Sequence, residues 1–95
     1  MSMTTNPNEL RTFMVVGTIR DDANSAEMMA LRADEHKQIA VLQSEGRLGV
    51  EHVAPSRATA FLEVFASDEN HVRETLATLP FHPFFVIDIF PIEQP

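Results

Sequence analysis

Residues 11–20 read RTFMVVGTIR, a β-branched and aromatic run closed by DDANS, and this pattern predicts a strand. Alternation sets Phe13, Val15, Gly17 and Ile19 on one face and Met14 and Val16 on the other. Both faces carry apolar groups, so both need cover. Ser25 is an able N-cap with Glu27 in the first turn, but Met28 at the third position rules out a capping box. The helix it opens is predicted to run to about Glu45 and stop at Gly46.

That helix carries two apolar stripes. Ala26, Met29, Ala30, Ala33, Ala40 and Val41 make the first, small enough to lie close on a sheet. Met28, Leu31, Ile39 and Leu42, with Glu35 among them, make the second on nearly the opposite side, where it is predicted to face outward and to serve assembly. LGVEHVA at 48–54 predicts a second strand, Pro55-Ser56 a turn, and TAFLEVFA at 59–66 a third strand. Ser67 or Asp68 caps a second helix whose inner face is Val72, Leu76 and Leu79. A last strand, from about Phe84 to Phe90, follows Pro83, and Pro91 is expected to limit its pairing.

The order β-α-β-β-α-β gives an α+β fold class, the ferredoxin-like plan of an antiparallel sheet with both helices on one face. Residues 1–10 read as a flexible N-terminal lead and residues 11–95 as a single domain. The helix-free face of such a sheet carries Phe61, Phe65 and either Phe84 or Phe85. Two copies pairing sheet to sheet would bury it and enclose a cavity, so the expectation is a homodimer, a dimeric α/β barrel.

Composition narrows the chemistry. With no cysteine, neither disulfides nor thiolate catalysis nor a thiolate metal site is available. Seven basic residues against fourteen acidic ones give a formal charge of -7, and no Lys/Arg cluster offers a phosphate-backbone footprint, so no nucleic acid partner is expected. The most apolar run is too short and broken to span a bilayer, and residues 1–10 lack the pattern of a signal peptide. The expectation is no membrane association and a cytoplasmic location. The glycines at 46 and 49 do not make a phosphate loop, and the dispersed histidines give no metal motif, so neither cofactor nor metal is expected.

The candidate reactive groups are His36, His52, His71 and His82, the carboxylates Glu35, Glu51, Glu63 and Asp88, and Arg32, Arg47 and Arg57. Glu63 shares a face with Phe61 and Phe65; a carboxylate there is a candidate acid or base, unless an arginine crosses the sheet to pair with it. His36 is either a solvated helix side chain or the border of a cleft between helix and sheet, with Arg32 one turn before it. His52 lines the dimer cavity if it points to the helix-free face, and is otherwise a polar edge residue. His82, held between Pro80 and Pro83, either marks a pocket mouth or shields the phenylalanines. Arg57, at a strand start, either binds a substrate carboxylate or serves the surface.

The segments LQSEGRL (42–48), FLEVFASDEN (61–70) and above all LATLPFHPFFVIDI (76–89), with Leu79-Pro80, Pro83 and an aromatic-led strand, resemble the muconolactone Δ-isomerase family. The likeness spans most of residues 12–92. It implies a ferredoxin-like subunit that dimerises through its sheet, with assembly up to a decamer. It also implies a cofactor-free proton shift that moves a double bond in a small anionic lactone, a carboxymethyl butenolide, in aromatic compound catabolism. On that reading Glu63, His36 or His52 shuttles the proton, Arg32 or Arg57 binds the substrate carboxylate, and His82, Phe61 and Phe84 line the substrate site. Two positions depart from the family. Ala30-Leu31-Arg32 stands where a Glu-Arg-Lys run is typical, and Val86 stands where the family has an aspartate. These departures admit a different lactone, another small-molecule reaction, or a non-catalytic ligand-binding protein of the related YCII-like class.

Overall fold

The computed structural model describes residues 9–93, so the lead expected at residues 1–10 lies mostly outside the described residues. Four strands and two helices follow in the predicted order: β1 (Arg11–Ile19), α1 (Ser25–Ser44), β2 (Leu48–Ala54), β3 (Thr59–Ala66), α2 (Glu69–Ala77) and β4 (Phe85–Ile92). Short 3-10 turns at Pro55–Arg57 and His82–Phe84 precede β3 and β4. The strands form one antiparallel sheet in the order β2-β3-β1-β4, with Val15 opposite Leu62 on one side and Ile89 on the other. This is the α+β ferredoxin-like arrangement.

Both helices cover the face that carries Phe13, Val15, Leu62, Val64 and Ala66, and the core closes with Ile39, Leu42, Val72, Leu76 and Leu79. Among the described residues nothing covers the other face, where Phe61, Val86, Phe90 and Ile92 are exposed. A side-chain bond from Gln38 Nε2 to Thr78 Oγ1, 3.0 Å, ties α1 to the end of α2.

The ends of α1 follow capping chemistry. Asn24, rather than Ser25, is the N-cap: its backbone is extended and its side-chain oxygen accepts from Glu27 N at 3.0 Å. At the other end Gly46 adopts φ 74°, Gly46 N bonds Gln43 O, and Arg47 N bonds Leu42 O at 2.9 Å. That is a Schellman ending, which needs a residue free to enter the left-handed region. For α2, Asp68 takes the cap and accepts from His71 N at 2.8 Å.

Two further expectations are corrected. The stripe of Met28, Leu31, Ile39 and Leu42 faces the sheet, with Glu35, Ile39 and Leu42 buried, whereas Ala26, Met29, Ala30, Ala33, Ala40 and Val41 are exposed. Bulk decides this: burying Ile and Leu removes more apolar area from water than burying alanines. Pro91 does not end the pairing of β4, since it stands opposite Phe13 and the strand continues to Ile92. β4 is an edge strand, and a missing N–H on its unpaired side costs no ladder bond.

The orientation of α1 can be checked by stability. Leu42→Ala, at a side chain 1% exposed, is expected to cost about 2–5 kcal/mol in urea unfolding. Val41→Ala, at a side chain 42% exposed, should stay within about 0.5 kcal/mol. Equal losses would contradict the packing described.

Candidate active site

The helix-covered side of the sheet is not packed throughout. Between α1, the sheet and the His82–Phe84 turn lies a cleft of about 550 Å³. Apolar groups form most of its wall, among them Val15, Ile39, Leu62, Leu79, Phe85 and Ile87. Arg32, Glu35, His36, Glu51 and His82 bring the ionisable groups into it. Such a lining, mostly apolar with a few converging polar groups, is the usual character of a small-molecule site.

Glu35 is the deepest of these, 6% exposed, carried inward by the Ile39–Leu42 stripe on which it lies. Its Oε1 accepts a 2.8 Å hydrogen bond from the backbone N–H of Phe81. Burial pushes its carboxyl above the usual carboxylate range; the Phe81 N–H opposes this, the nearby Glu51 adds to it, and His36 opposes it. Glu51 comes from β2, half-buried opposite Leu62. It too is pushed up by burial and drawn down by His36. Two carboxyl groups with strengthened proton affinity therefore face one apolar cleft, with a histidine between their fields and an arginine at the rim. A pair of this kind can hold one proton and lack another at the same pH.

The cleft wall on the β4 side is aromatic. Phe81 and Phe85 stack with ring centroids 6.4 Å apart and planes 23° from parallel. Beneath them Gly17 leaves space that a side chain would close, since a Cβ there would come within 2.9 Å of Phe85 Cδ1. His36 and Glu51 also line a shallower groove between α1 and β2, which Glu35 does not reach.

The residues singled out from sequence divide between the two sides of the sheet. Arg32, His36 and His82 stand together at the rim of the cleft. Arg57 is exposed in the turn between the lining residues Pro55 and Ala58, and Phe84 lies beside Phe85 without lining the cleft. Phe61, Glu63 and His52 are on the helix-free side: His52 pairs with Phe61 across the strands, and Glu63 is half-buried. Glu63 reaches over Gly49, where a Cβ would run into its Oε1. Glu35 and Glu51 are the cleft carboxylates that pattern reasoning left without a role. The signal for Glu35 was present: a charged residue inside the bulkier apolar stripe of a helix.

Among the described residues no three His, Cys, Asp or Glu side chains gather closely enough to hold a metal ion, and no helix is long and apolar enough to cross a membrane. Residues 12–95 match the family model described as Muconolactone delta-isomerase. A search among curated proteins finds no match to the chain.

The carboxyl pair makes stability depend on pH with a defined sign. A raised carboxyl binds more protons in the folded chain than in the unfolded one between its ordinary and its raised value. The stability gained from the protonated form is full below the ordinary carboxylate range and is lost as pH rises through the raised value. Glu35→Gln, which keeps an oxygen for the Phe81 N–H, is expected to flatten that decline in urea midpoints measured across the acidic-to-neutral range. A variant whose midpoints run parallel to those of the parent chain would refute it.

Proposed function

The chain belongs to the muconolactone delta-isomerase family, and we propose that its α1–sheet cleft catalyses a cofactor-free proton shift in a small unsaturated lactone carrying a carboxylate. The observation behind this reading is the Glu35–Glu51 pair inside an apolar cleft that has a single arginine at its rim. Glu35, whose ionised form the Phe81 N–H supports, takes a proton from the carbon next to the lactone carbonyl. The electron pair of that C–H bond moves into the ring, shifting the double bond and charging the carbonyl oxygen as a dienolate. Glu51, whose carboxyl burial also raises, takes the second role: in its protonated form it donates a hydrogen bond to that oxygen. Glu35 then returns the proton at the distal carbon, the charge collapses, and both groups end as they began. Arg32 binds the substrate carboxylate at the rim, and His36 and His82 flank the entrance.

Turnover of a carboxymethyl butenolide, followed by ultraviolet absorbance and by deuterium uptake from D2O, tests this reading. Glu35→Gln and Glu51→Gln should each lower kcat by about 10²–10⁴-fold, and Arg32→Ala should act mainly through KM. Glu63→Gln and His52→Ala report on the helix-free side and should leave kcat within about threefold, a surface-sized effect. Full activity of both glutamine variants, with loss in Glu63→Gln, would move the chemistry to the other face of the sheet. Absence of deuterium uptake into any butenolide favours a ligand-binding protein of the YCII-like class.

The same reading includes a second copy of the chain on the helix-free face. Phe90 is 50% and Val86 57% exposed there, beside Phe61 and Ile92, an apolar surface that a domain this small gains by burying. Sheet-to-sheet pairing covers it, and the exposed outer stripe of α1 is then the surface left for a larger assembly such as a decamer. In sedimentation the parent chain should run as a dimer or a multiple of it, and Phe90→Glu should release a folded monomer. A parent chain that sediments as a monomer ends the proposal.

A further inference from the structure

The cleft is larger than a simple butenolide acid needs. At ~30 Å³ for each water-sized atom in a liquid, a lactone acid of roughly ten non-hydrogen atoms takes up about 300 Å³, and the cleft offers about 550 Å³. The surplus is bounded by apolar side chains, so it suits a substituent with little to hydrogen-bond. Its chemistry is aromatic at one wall, where the stacked Phe81 and Phe85 rings lie with planes 23° from parallel. A third planar ring extends such an array at offset-stacking separation, which a flexible alkyl chain cannot do as well. Met28, half-buried, adds a polarisable thioether to the lining at the α1 side.

The depth available at this wall is set by one residue. Gly17 lines the cleft, and Phe85 occupies the space its missing side chain leaves, Cδ1 lying 2.9 Å from where a Cβ would stand. A side chain at 17 would meet the Phe85 ring, so the ring that walls the cleft has to shift. The wall is also tied to the reactive end, because the residue that supplies the Phe81 ring donates its N–H to Glu35. A ring docked on Phe81 is therefore held next to the carboxyl that moves the proton.

We propose that the cleft is selective for ring-bearing, planar carboxylates, with the substrate's aromatic or conjugated substituent lying on the Phe81–Phe85 wall and Gly17 fixing the size of ring admitted. This rests on the α1–sheet cleft being the substrate site, and it concerns binding rather than turnover.

The test is equilibrium binding of three unreactive acids, acetate, phenylacetate and 2-naphthylacetate, by isothermal titration, with the contact surface mapped from amide shifts. Affinity should rise along the series, 2-naphthylacetate binding about tenfold tighter than phenylacetate, with shifts at Gly17, Ile87 and Phe81. Gly17→Ala should remove about tenfold from 2-naphthylacetate and no more than about twofold from phenylacetate, a size-dependent loss. Phe85→Leu, which keeps an apolar filler, should erase the difference between the two aryl acids even where the alanine variant folds poorly. Equal affinities along the series, shifts confined to Val86 and Phe90 on the opposite face, or unchanged naphthyl binding in a folded Gly17→Ala each overturn the inference. Turnover of a butenolide without ring preference overturns it and spares the catalytic reading; ring preference without turnover supports it and removes the catalytic reading.

Discussion

A carboxylate carried under a helix by its apolar neighbours must find a donor or hold its proton, and Glu35 does something of each. The Ile39 and Leu42 side chains that bury against the sheet leave Glu35 no choice of side. The Phe81 N–H is the one hydrogen bond described for its carboxyl, 2.8 Å long and crossing 46 residues of sequence. That bond explains the construction of the segment from Leu79 to Phe85. Two prolines restrict the backbone on either side of Phe81 and His82, and His82 N bonds back to Leu79 O while Phe84 N bonds to Phe81 O. The turn is therefore rigid where rigidity aims a donor at a buried acid, and its phenylalanines wall the space beside that acid.

Much of the fold could be read from the chain because its local signals agree. Alternation in β1 and β3 assigned their faces correctly, as the burial of Phe13, Val15, Leu62 and Val64 shows. The ending at Gly46 could be read because only a left-handed residue completes that hydrogen-bond pattern. The orientation of α1 could not, because both of its sides carry apolar groups and periodicity alone does not choose between them. Choosing the small-residue stripe as the inner one turned Glu35 outward and hid the cleft. Glu51 was obscured differently: the register shifts between Leu48 and Glu51, so simple alternation along β2 does not report which side a residue takes. Arg32, His36 and His82 were legible as candidates because they stand at a helix flank and a proline-bounded turn, positions that border clefts whatever the helix rotation.

The sheet keeps two kinds of surface apart. Its helix-covered side holds the carboxyl pair and the aromatic wall, and its other side is an apolar field interrupted by Glu63, His52 and Asp88. The two departures from the family's pattern fall unequally on this division. Val86, where the family resemblance expects an aspartate, is exposed on the helix-free side, so that change makes the outer face greasier without touching the cleft. Ala30-Leu31-Arg32 lies at the cleft's edge, where Ala30 is exposed and Arg32 is a lining residue. One rim cation, beside His36 and His82, stands in place of a charged run, which suits the single carboxylate of the substrate proposed above.

Two carboxyl groups in one cleft would be redundant if their surroundings were the same. They differ in depth, Glu35 being buried and Glu51 half-buried, and in one donor. Glu35 receives a backbone N–H, which favours its ionised form, whereas burial acts on Glu51 opposed only by His36. The charge of Glu51 also raises Glu35, so the two carboxyl groups release their protons as a coupled pair. Holding one proton, such a pair offers a carboxylate and a carboxylic acid side by side, the two parts that the proposed proton shift uses.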